Sequence, residues 1–140
     1  MINSRKIIIS EPGFSNFAKY FSNQCNEEVI LHRNFDINTI IFRIFRIIGF
    51  INVLEYINTY TLIKKYKLHK CSKLIVFKGC TIDYEMLDKK EINYTIYLWD
   101  SIKNIYNGPR YSKMNSKVMT FDIQDSLDYN FFYLPLFHFR

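Results

Sequence analysis

Tyr94-Thr-Ile-Tyr-Leu-Trp-Asp100-Ser-Ile-Lys-Asn104, Val118-Met-Thr-Phe-Asp122-Ile-Gln-Asp125 and Phe131-Phe-Tyr-Leu-Pro135-Leu-Phe137 are three apolar runs that stop on Asp100, on Asp122 and at a Pro135 turn. Short runs of aromatic and β-branched residues closed by polar groups or proline read as strands. In an open α/β sheet the C-terminal edges of the strands face the ligand crevice, so these polar stops mark where function is expected.

Working outward, Lys73-Leu-Ile-Val-Phe77-Lys-Gly79 is the clearest strand, and its closing glycine permits a tight turn or a close approach. Thr81 to Lys89 reads as a short helix with Thr81 as its cap, Ile92 to Trp99 and Lys117 to Phe121 as strands, and Asp122 to Asp128 as a helical turn. Nearer the N-terminus, Arg5 to Ser10 forms a buried first strand. Glu11-Pro12-Gly13 turns into an amphipathic helix carrying Phe14, Phe17, Ala18 and Phe21, and Glu28 to His32 is a second strand broken by Asn34 to Asn38. From Thr39 to about Lys70 the spacing of Ile41, Phe42, Phe45, Ile48, Val53, Leu54 and Ile57 is helical, with Gly49 dividing it. Strands alternating with helices predict one α/β domain over residues 1–140, Rossmann-like, with a mostly parallel sheet and helices on both faces.

The 140 residues suit one domain, and 49% apolar content can close its core. The abundance of Ile, Asn, Lys, Tyr and Phe beside a single alanine, Ala18, reads as genomic A/T bias. Of the net charge of +6, the surplus lies in residues 1–70, which hold ten Lys/Arg against five Asp/Glu. Cys25, Cys71 and Cys80 lack CxxC spacing, which predicts neither a disulfide framework nor a zinc site and fits a reduced, cytoplasmic setting. Residues 1–9 hold too short an apolar run for a secretory signal. No GxGxxG motif points to a dinucleotide cofactor, so no cofactor is expected. His32, His69 and His138 have no metal-ligand spacing, and no aromatic-basic block or recognition helix points to nucleic acid.

Asp100 is the candidate catalytic base: it ends an apolar strand beside Trp99, whose ring offers a stacking face for a sugar. The same residue also suits a cap of the turn through Ser101, Lys103 and Asn104. Asp122 and Asp125 share a face three residues apart, with Asp122 placed to cap the helix that follows. Lys103 and Arg110 flank the Asn107-Gly108-Pro109 turn as phosphate-holding candidates.

Residues 37–54 set Arg43 and Arg46 in a greasy helix. Two arginines near the middle of a span cost about 2.5–3.5 kcal/mol each, which argues against crossing a membrane. Two readings stay open. In one the helix lies in a membrane interface, with Arg43, Arg46, Phe42 and Phe45 as contacts and Lys64, Lys65, Lys67 and Lys70 meeting anionic headgroups. In the other it packs on the sheet with its arginines reaching outward.

The series Leu74-Ile-Val-Phe-Lys-Gly79, Tyr97-Leu-Trp-Asp-Ser101 with Lys103 and Asn104, Thr120-Phe-Asp122-Ile-Gln-Asp125 and Leu134-Pro-Leu-Phe137 resembles the N-terminal half of bacterial GT-B-type glycosyltransferases of lipopolysaccharide and capsular polysaccharide biosynthesis. The likeness covers residues 70–138 by motif and 5–70 by topology. It implies an acceptor-side Rossmann-like domain, with Gly79, Trp99, Ser101, Lys103, Asn104, Asp122 and Asp125 lining the substrate site. It further implies a lipid-linked or oligosaccharide acceptor and a separate nucleotide-sugar domain, either lost by truncation or carried by a partner chain, so that this chain is inactive alone. The competing expectation is a non-catalytic membrane-peripheral binding module built on residues 37–54.

Overall fold

A computed structural model describes residues 6–10, 15–24, 29–33, 39–70, 73–79 and 81–135. The Glu11-Pro12-Gly13 turn, Phe14, the Asn34 to Asn38 break, the three cysteines, Phe137 and His138 lie outside them.

The chain folds as an α/β, Rossmann-like domain. Its elements run β1 (Lys6–Ser10), α1 (Ser15–Gln24), β2 (Val29–Arg33), α2 (Ile40–Ile47), α3 (Ile51–Tyr66), β3 (Lys73–Phe77), α4 (Tyr84–Lys89), β4 (Tyr94–Leu98), β5 (Val118–Thr120), α5 (Ile123–Tyr129) and β6 (Phe132–Tyr133). The strands form one sheet in the order β2-β1-β3-β4-β5-β6. Every neighbouring pair is parallel. The order reverses at β1, which sits between β2 and β3, the strand arrangement of a topological switch point in an open α/β sheet.

Strand alternation divides the core in two. Ile7, Ile9, Leu74, Val76, Tyr94, Ile96, Leu98 and Val118 cluster with Leu62 and Ile63 of α3 and Met86 and Leu87 of α4. Ile8, Ile75, Phe77 and Tyr97 alternate with them and meet Ala18 of α1. Helices therefore cover both faces. Burial of each branched side chain contributes about 1.5–3 kcal/mol, which makes these central strands the most strongly held part of the fold.

Several local expectations are corrected. The helix after β3 starts at Tyr84, and its cap is Asp83, whose carboxylate accepts from the Met86 N–H at 3.0 Å. Thr81 is buried instead, because its hydroxyl and carbonyl face Asn58. The chain does turn at Asn107-Gly108-Pro109, with Asn107 at a φ of 53°, and continues into two 3-10 turns, Gly108–Lys117, that meet at a kink at Met114. Gly49 does divide the long helical stretch, with a φ of 78° that only glycine adopts without strain.

Asp122 caps α5 as its spacing foretold, accepting from the N–H groups of Gln124 at 2.8 Å and Asp125 at 3.2 Å. Asp122→Ala is expected to lower stability by about 1 kcal/mol, read as a shift in urea midpoint; an unchanged midpoint would mean water replaces the cap at no cost.

Candidate functional site

Between α3, α4 and the β4–β5 connection lies a cleft of about 710 Å³. Asn52 and Glu55 enter it from α3, Ile82, Asp83, Tyr84, Glu85 and Asp88 from the start and length of α4, and Asn107, Pro109, Arg110, Lys113 and Met114 from the β4–β5 connection. Carboxylates, amides and one phenol ring dominate this lining. That chemistry suits a ligand rich in hydroxyl groups, which both donate and accept hydrogen bonds.

Glu55 and Arg110 build the inner wall. Arg110 donates from Nη1 to Glu55 Oε1 at 2.9 Å and from Nη2 to the Gly79 carbonyl at 3.1 Å and the Tyr111 hydroxyl at 3.3 Å. Its guanidinium lies 5.1 Å from the ring centres of Tyr84 and of Tyr111. Burial pushes the Glu55 carboxyl above its ordinary value of 4.5, while Arg110 pulls it back. Gly79 makes the close approach its position suggested: a Cβ there would collide with Val76 and with the Tyr84 hydroxyl, which donates to the Gly79 carbonyl at 2.9 Å.

The rest of the wall is set by an unusual α3. Glu55, Asn58 and Thr59 are buried, whereas Val53, Tyr56, Ile57 and Tyr60 are exposed. Polar groups turned inward need partners, and the β3–α4 loop supplies them. Asn58 Nδ2 donates to the Thr81 carbonyl at 2.9 Å, and the Asp83 N–H donates to Thr59 Oγ1 at 2.8 Å. The inner stripe thus pins the loop that carries Asp83 and Tyr84 into the cleft. At the far end, Asp88 accepts from the Tyr94 hydroxyl at 3.1 Å and pairs with Lys117, whose ammonium lies 4.2 Å from the centre of the Tyr94 ring. Burial, then the Asp88 carboxylate, holds the Tyr94 phenol well above its ordinary range.

No protein-family model, curated protein or solved structure matches this chain.

Of the residues singled out in the sequence, Arg110 lines the cleft together with Asn107 and Pro109 of the turn before it, and Gly79 touches its wall through Arg110; Trp99, Asp100, Ser101, Lys103, Asn104, Asp122 and Asp125 are not in the lining. Asp100 sits at the end of β4, as expected, in an ion pair with Lys78 at 3.1 Å. Trp99 is half-buried, its ring edge-on to Tyr97 at 6.0 Å. The turn after Asp100 is held by Asp125, which is 1% exposed and accepts from the Ile102 N–H at 2.6 Å and the Ser101 hydroxyl at 3.3 Å. Asp125 and Ser101 are thus brought together as a structural clamp, Asp122 is a helix cap, and Lys103 and Asn104 are exposed. Arg110 donates to Glu55, Gly79 and Tyr111.

Sequence reasoning missed Glu55, Asn58, Thr59 and Asp83. One signal was present: Glu55 is the only carboxylate residue between Asp36 and Asp83, and Glu55, Asn58, Thr59 and Leu62 recur at the helical steps normally kept by an apolar stripe. Among the described residues, no group of three or more His, Cys, Asp or Glu is arranged to hold a metal ion.

On α2, Phe42 is corrected as a membrane contact. It is 4% exposed and edge-on to Tyr106 at 6.4 Å, because the 3.6-residue period sets it opposite Ile40, Ile44 and Ile47. The Arg46 guanidinium lies 5.4 Å from the centre of the Tyr106 ring, Phe45 is half-buried and Arg43 is exposed. No helix among the described residues is long and apolar enough to cross a membrane.

Proposed function

We propose that this chain is the acceptor-side domain of a glycosyltransferase of bacterial surface-polysaccharide synthesis, working at the cytoplasmic membrane with a separate nucleotide-sugar domain. The observation that carries this reading is the cleft between α3, α4 and the β4–β5 connection, walled by Asn52, Glu55, Asp83, Tyr84, Glu85 and Asn107. Amide and carboxylate oxygens accept hydrogen bonds from sugar hydroxyls, and amide N–H groups donate to them. Its two cations leave little to hold a diphosphate, since Arg110 is committed to Glu55 and only Lys113 remains. The sequence resemblance to GT-B enzymes points the same way.

Transfer to a hydroxyl needs a base. Glu55 suits that role better than Asp100, because it faces the cleft and burial raises its affinity for a proton, whereas Asp100 lies outside the lining in its pair with Lys78. Saturation-transfer NMR of the full chain against a panel of bacterial surface glycans tests the reading. At least one oligosaccharide is expected to bind, about tenfold more weakly in Asn52→Ala, where one amide's hydrogen bonds are lost. Binding to none of the panel, or binding unchanged in Asn52→Ala and Glu85→Ala, would remove the cleft from the account.

A non-catalytic membrane-peripheral module is the second reading. The exposed apolar residues of α2 and α3 favour it.

A further inference from the structure

We infer that the outward faces of α2 and α3 dock on an anionic lipid surface. This deepens the peripheral-membrane part of the proposal above and does not depend on what the cleft binds. Ile40, Ile41, Ile44, Ile47 and Ile48 form one stripe at helical spacing, and Val53, Tyr56, Ile57 and Tyr60 form another on α3, with Phe50 at the junction. Each of these ten side chains is between 43% and 83% exposed. Single exposed apolar residues are ordinary, but so many on two consecutive helices is several hundred Å² of greasy surface, at or above the roughly 300–600 Å² of the largest patch on a soluble monomer.

The exposure is built in. α3 turns its polar stripe, Glu55, Asn58 and Thr59, toward Arg110 and the β3–α4 loop, so the apolar stripe is left outside. A helix of this composition packed for solvent alone would sit the other way round.

Charge selects the occupant. Arg43, Arg46, Lys64, Lys65, Lys67 and Lys70 are all exposed in this segment, and its one carboxylate, Glu55, faces inward. A second copy of the same surface would oppose cation to cation. Anionic headgroups complement the cations while the isoleucines enter the acyl boundary, and tyrosines such as Tyr56 and Tyr60 suit the headgroup level.

The test is co-sedimentation of the full chain with vesicles of phosphatidylcholine alone and of equal parts phosphatidylcholine and phosphatidylglycerol, alongside light scattering without lipid. Binding is expected only to the anionic vesicles. It should weaken on the order of 30-fold in Arg43→Glu with Lys64→Glu, and on the order of 100-fold in Ile47→Asp with Ile57→Asp, with thermal melts unchanged. If the aspartates lower the melt, the charge-reversed pair, which removes no apolar side chain, decides alone. No vesicle binding, equal binding to both vesicle types, or a lipid-free dimer dissolved by Ile47→Asp with Ile57→Asp would overturn the inference. Vesicle binding without any glycan binding would instead remove the glycosyltransferase reading and leave this one standing.

Discussion

Arg110→Ala is expected to cost about 3–5 kcal/mol, the range for removing one partner of a buried ion pair and stranding the other. Glu55 is 7% exposed, so after the substitution its carboxylate keeps its burial and loses its counter-charge. The Gly79 carbonyl also loses a donor, and the rings of Tyr84 and Tyr111 lose the cation packed beside them. A domain of this size is stable by only about 5–15 kcal/mol, so one side chain decides much of the margin. Urea denaturation followed by circular dichroism reads the loss directly. A loss under about 1 kcal/mol would mean that the pair is effectively solvated. Replacing both partners with apolar groups, Glu55→Leu with Arg110→Met, should recover most of the deficit, because no charge is then left buried.

The pH dependence follows from the same pair. The folded chain holds the Glu55 proton more tightly than the ordinary glutamate value of 4.5, chiefly through burial and against the pull of Arg110. A carboxyl raised on folding contributes stability that is complete below about 4.5 and is lost as pH rises through its folded value. Without Arg110 that folded value rises further. The deficit of Arg110→Ala should therefore shrink as pH falls and Glu55 takes up its proton, and be larger at neutral pH. A deficit that shrinks as pH rises would show that the carboxylate is not the stranded group.

Gly108→Ala is expected to destabilise by about 2–4 kcal/mol, beyond the common overpacking range because the obstacle is backbone. A Cβ at this position would collide with the Ile102 carbonyl oxygen, and would lie 2.9 Å from its carbon and 3.1 Å from Ile102 Cγ1. Flexible side chains can swing away from such a contact, but here the 102–108 turn must move. It is held by the Gly108 N–H donating to the Ile105 carbonyl at 3.0 Å, by the Asp125 clamp on Ile102, and by Ile102 and Ile105 in the core. The displacement would carry Arg110, two residues on, away from Glu55. A thermal melt within experimental error of the parent chain would show that the turn yields freely.

Much of the fold was legible in the chain because sheet burial imposes a local pattern. Ile7 to Ile9, Leu74 to Phe77 and Tyr94 to Leu98 are short apolar runs of the kind a two-sided parallel sheet requires, and each became a strand at that place. Asp122 announced its helix because a cap acts over two or three residues. Asp100 was correctly placed at the end of β4, yet its partner Lys78 belongs to the loop after β3, and the turn behind it is held by Asp125 from α5.

The sequence by itself determined the strand set, the split of residues 39–70 at Gly49, and the presence of two kinds of stripe on α3. Only the tertiary structure decided which stripe faces in. Helical periodicity states that Glu55, Asn58 and Thr59 lie together and that Val53, Tyr56, Ile57 and Tyr60 lie together, but it carries no sign. That choice was made by Arg110, 55 residues from Glu55 along the chain, and by the β3–α4 loop, whose polar groups need partners that crossover packing alone brings within reach.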